Sequence, residues 1–127
     1  MKHLCTPLYL SVCNNHYHIV EYLVSNGADI NSRDNCRITT LHNSAQYGYL
    51  KMTQFLVDHG ADINSKDFES NTPLHYSSKY GTLSIIEYLV KCGAEIDSKD
   101  FQIVFIYFFI HLFIKPLYMD MLKLLSI

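Results

Sequence analysis

Apolar side chains along this chain fall into short helical stripes separated by polar, glycine-bearing breaks. Leu83, Ile86, Leu89 and Val90 share one face of a helix, and Gly93 closes it. Upstream, Thr72-Pro73-Leu74 reads as a helix start, because Thr can cap the free amides of a first turn and Pro stands where its missing N–H costs nothing. Tyr80-Gly81 ends that helix with a residue suited to left-handed backbone, and Asn15 fills the equivalent place earlier. The stretches between helix pairs are short, polar and Asp-containing, which predicts a turn or hairpin rather than a third helix. Beyond Asp100 the pattern changes, and Ile103 to Ile110 are eight consecutive apolar residues.

The stripes repeat. Gly27-Ala28-Asp29-Ile30-Asn31-Ser32 returns as Gly60-Ala61-Asp62-Ile63-Asn64-Ser65 and as Gly93-Ala94-Glu95-Ile96-Asp97-Ser98, each step 33 residues long. The same offset links Thr6-Pro7-Leu8-Tyr9, Thr39-Thr40-Leu41-His42 and Thr72-Pro73-Leu74-His75. Units 34–66 and 67–99 share 15 of 33 residues, so a fixed period organises the chain.

A 33-residue helix-turn-helix unit with T-P-L-H, a mid-unit Gly and G-A-D-I-N resembles the ankyrin repeat family. The resemblance covers units 1–33, 34–66 and 67–99 and implies an all-α repeat solenoid whose helix pairs are joined by short β-hairpin or loop connections. A degenerate fourth unit over 100–127 completes a single domain over 1–127 if three residues are inserted after Asp100, which sets His111 opposite His42 and His75. The chain departs from the family where Thr40 replaces Pro, Tyr9 replaces His, and Arg37 and Ser70 replace the hairpin Gly. Those last changes should strain or reshape the hairpin tips.

The resemblance implies a protein partner held on a concave face, with no catalytic residues and no cofactor. Contacts would fall on the variable positions: Asn35, Cys36, Ile38, Asn43, Gln46 and Tyr47 in the second unit, and Phe68, Glu69, Asn71, Tyr76, Lys79 and Tyr80 in the third. It also makes Asn31 and Asn64 candidates for asparagine hydroxylation. His42 and His75 are expected to cap helix starts rather than bind metal. The carboxylates that recur at the period, such as Asp34 and Asp67, are expected to form turns, because a catalytic pair would break the repeat.

Composition sharpens two points. Ten basic against twelve acidic side chains, without clustering, argue against nucleic-acid binding through a basic face. Cys5, Cys13, Cys36 and Cys92 form no C-x-x-C pair and read as free thiols in a reducing, cytoplasmic setting. Met1 to Cys13 has some signal-peptide character, but Thr6-Pro7 interrupts it.

The tail stands apart: residues 101–127 hold 20 hydrophobic and 3 charged residues, and five of the seven Phe. Its 14-residue stretch Phe101 to Ile114 would span about 21 Å as a helix, short of a hydrocarbon core of about 30 Å, and Lys115-Pro116 is expected to interrupt it. A spanning helix is therefore not the expectation. Packing as a degenerate repeat, self-association, and truncation from a longer array stay open, as does membrane association as part of a runner-up reading in which the chain is a repeat fragment.

Overall fold

A computed structural model describes residues 5–80, 82–97 and 100–125. It divides into two units, Met1–Glu95 and Ile96–Ile127. In the first, three helix pairs follow one another: α1 (Pro7–Cys13) with α2 (Tyr17–Ser25), α3 (Thr40–Tyr47) with α4 (Leu50–Asp58), and α5 (Pro73–Lys79) with α6 (Leu83–Lys91). Each pair packs internally, and the first helices also pack on each other, α1 on α3 and α3 on α5.

The local chemistry of each helix start matches its sequence. Thr6, Thr39 and Thr72 are extended N-caps whose hydroxyls accept from the backbone N–H of Tyr9, His42 and His75. Pro7 and Pro73 open their helices. Thr40, in the place of Pro, is buried and donates its hydroxyl to the Ile30 carbonyl at 3.2 Å, so a side-chain bond replaces the ring's rigidity. The turns inside the first two pairs use positive φ at Asn15 (+55°) and Gly48 (+77°); Gly81, assigned the same role in the third, lies outside the described residues.

Leu8, Val12, Val20, Leu41, Met52 and Leu56 form the core between the first two pairs, and Leu74, Ile85, Ile86 and Leu89 are buried in the third. Fully burying one such side chain contributes about 1.5–3 kcal/mol. Between α2 and α3 the chain makes one antiparallel bridge, Arg33 with Thr39, and a tight loop. The hairpin tips hold positive φ without Gly: Arg37 sits at φ +62° and Ser70 at φ +65°. Both lie in the left-handed region, where an L residue is strained.

The tail corrects two expectations. Helix α7 (Phe101–Phe109), a π-helical turn (Ile110–Ile114) and helix α8 (Lys115–Leu125) follow one another directly and form one 25-residue helix. Among the described residues there is no helix-turn-helix pair of a fourth repeat there, and His111 lies within the helix rather than at a capped start. Lys115-Pro116 does not interrupt the helix either. A proline ring strikes the carbonyl four residues back, here that of Leu112, and the wider π turn contains that residue and relieves the clash.

Candidate functional site

The recurring carboxylates are loop formers. Asp34 Oδ1 accepts from the backbone N–H of Cys36 and Ile38, at 2.8 and 2.9 Å. Asp67 Oδ1 repeats this with Glu69 and Asn71, at 2.9 and 2.8 Å. Burial opposes ionisation of Asp67, but the Tyr76 hydroxyl, donating to Oδ2 at 2.6 Å, and those two amides outweigh it and hold the carboxyl below its usual range. Burial, and after it the same contact, pushes the Tyr76 phenol well above its ordinary value. Tyr9 repeats the arrangement on Asp34, at 3.3 Å, and its phenol is pushed up to about 12, chiefly by burial.

Successive units are joined by side chains that pair with backbone. His42 is fully buried; its Nδ1 accepts from Thr39 N–H at 3.1 Å, and its Nε2 donates to the Asn71 carbonyl at 2.8 Å. Both ring nitrogens are thus engaged in structure, and burial lowers the imidazole pKa. His75 caps Thr72 in the same way, with Thr72 N–H donating to its Nδ1 at 3.0 Å. Asn31 donates to the Gly60 carbonyl at 3.0 Å and accepts from Asp62 N–H at 2.7 Å, while Asn64 accepts from Glu95 N–H at 2.8 Å.

These joints fix a groove of about 460 Å³ across the second and third units. Of the twelve positions expected to meet a partner, nine line it: Cys36, Ile38 and Gln46 from the second unit, and Phe68, Glu69, Asn71, Tyr76, Lys79 and Tyr80 from the third. Phe68 (64% exposed) and Tyr80 (54%) present open aromatic surface to it. Phe68 is held by its N–H donating to the Cys36 carbonyl at 3.1 Å and by the Arg37 guanidinium 4.9 Å from its ring centre.

Three of the twelve are placed elsewhere. Asn35 and Tyr47 are not among the lining residues; Tyr47 is half exposed, with its ring 5.6 Å from that of Tyr49. Asn43 is a correction: it is buried. The reason is its helix. Packed between α1 and α5, α3 is buried from Thr40 through Ala45. Sequence reasoning missed Asp67 and His75, which also line the groove. Their recurrence marked them as a loop former and a cap, and that structural role masked their second exposure.

Three stacked helix pairs with side-chain joints and a groove over their loops define a helical-repeat protein. The ankyrin repeat family model matches three copies over residues 8–100, and the chain belongs to that family. Ankyrin repeats generally serve as protein–protein interaction modules and are typically non-enzymatic. Among curated proteins, the chain is 41% identical over 46 residues to the E3 ubiquitin-protein ligase XBAT33 of Arabidopsis thaliana. That alignment covers 36% of this chain and 9% of the relative.

Proposed function

We propose that this chain is a non-enzymatic interaction module, working in a reducing, cytoplasmic setting, and that its partner protein seats in the groove of the second and third repeats. The observation that carries this reading is the convergence of nine of the twelve expected contact positions on one groove, with Phe68 and Tyr80 open in it. Large aromatic groups are the usual energetic anchors of an interface, each worth about 2 kcal/mol or more when buried by a partner. Asp67, Glu69 and Lys79 supply polar groups around them. The four cysteines are free, which agrees with a reducing setting.

Site-specific photocrosslinking tests the groove. A benzophenone side chain placed at Tyr80 should capture a discrete protein species in cells, and the same group at Tyr22, exposed on α2, should not. Equal capture from both positions removes the groove from the account. Asn31 and Asn64 are retained as hydroxylation positions; intact mass spectra without an added oxygen at either would dismiss them.

A further inference from the structure

The first fourteen residues of the long C-terminal helix, 101–114, present no polar face. A helix resting on a protein core, or meeting a partner along one stripe, keeps a polar side for water. Around that stretch only Gln102, His111 and the hydroxyl of Tyr107 are polar. The three charges, Lys115, Asp120 and Lys123, all lie in the last eleven residues. Phe105 (71% exposed), Leu112 (63%) and Phe113 (59%) are open to solvent.

We propose that Phe101–Leu125 inserts into a lipid bilayer as a single span, with Phe101 to Met119 in the hydrocarbon. Nineteen residues at ~1.5 Å rise cover about 28 Å, close to the thickness of ~27–30 Å that a bilayer offers. Lys115 lies four residues inside the end of that stretch, within reach of the interface for a long side chain that snorkels. Pro116 and the π turn before it are irregularities that spanning helices tolerate. A second copy of the chain is the weaker occupant, since pairing covers one side of a helix and leaves the rest of an apolar circumference in water. The inference is independent of the groove.

The chain contains no Trp, so a single indole reports depth cleanly. Full-length Phe101→Trp and Phe109→Trp variants would be mixed with phosphatidylcholine vesicles whose lipids carry bromine at a shallow or a deep acyl position. The indole at 109 should be quenched best by deep bromine and the indole at 101 best by shallow bromine. Flotation should carry the chain up with the vesicles, and a Phe109→Lys/Phe113→Lys variant should lose at least tenfold in vesicle partition while its helical circular dichroism and groove crosslink persist. Equal shallow quenching of both indoles would mean a helix lying on the surface and would overturn the span. A chain that stays at the bottom of the gradient, as soluble protein or as a self-associated particle, would overturn lipid as the occupant.

Discussion

Replacing Ser70 by Gly should stabilise the repeats. Ser70 is exposed at a hairpin tip with φ +65°, where an L residue costs roughly 1–2 kcal/mol relative to right-handed backbone. The loop around it is firmly fixed: Ser70 N–H donates to the Asp67 carbonyl at 3.0 Å, and Asp67 Oδ1 holds Glu69 and Asn71. Those bonds use backbone of the tip and the Asp67 side chain, so Ser70→Gly leaves them in place. Glycine regains the strain but adds about 0.5–1 kcal/mol of unfolded-chain freedom. The net gain expected is about 0.5–1 kcal/mol, or roughly 2–8 °C in Tm for a unit of this size. Urea unfolding followed by far-ultraviolet circular dichroism, with the full chain in nonionic detergent, measures it. Two controls sharpen the result. Arg37→Gly relieves the same strain at φ +62° but loses the guanidinium over Phe68, worth about 0.5–1 kcal/mol, and should come out near zero. Ser70→Val places a β-branched residue in the left-handed region and should destabilise. A Ser70→Gly chain no more stable than the parent, with Ser70→Val equal to both, would refute the strain at this tip.

Two further outcomes concern the joints between units. His42→Ala removes bonds to Thr39 and Asn71 from a fully buried site and should cost about 2–4 kcal/mol, read as a fall in urea midpoint. Because burial holds the folded His42 pKa below its ordinary value of about 6.5, the unfolded chain binds the proton more readily. Its contribution is therefore complete above about pH 6.5 and lost as pH falls from there toward the lower folded pKa; this component of the pH slope should vanish in His42→Asn. Asn31→Asp keeps the acceptor but loses the donor to Gly60 and should cost about 1–2 kcal/mol, seen as an earlier urea midpoint at unchanged m-value.

The repeat was legible because its signals are local and recur. A Thr that can cap, a Pro that opens a helix and an Asp that folds a loop each act within four residues, so the 33-residue period can carry them, with only Thr40 breaking the Pro series. The burial of Asn43 was not legible, because it depends on position in the stack. The next-unit equivalent, Tyr76, is half buried on α5, whereas α3 has a first helix on either side. The tail resisted reading for the opposite reason. A continuous apolar run has no period to register, and Pro116 signals a stop unless the turn before it is known to widen. In the groove, Asp67 and His75 escaped because one residue serves both scaffold and surface.

The Asn31 side chain pairs with Gly60 and Asp62 as a peptide unit pairs in a sheet, offering one N–H and one C=O to its neighbour. In that sense the stack carries a ladder with a rung from each of its first two units, built from amide side chains. Asn64 can supply both halves of a rung in the second unit, but the third unit has Asp97 in that place, and a carboxylate can only accept. The ladder is therefore directional. Asp97 lacks the N–H half that Asn31 and Asn64 carry at the same place, so a side-chain rung there can be only a half.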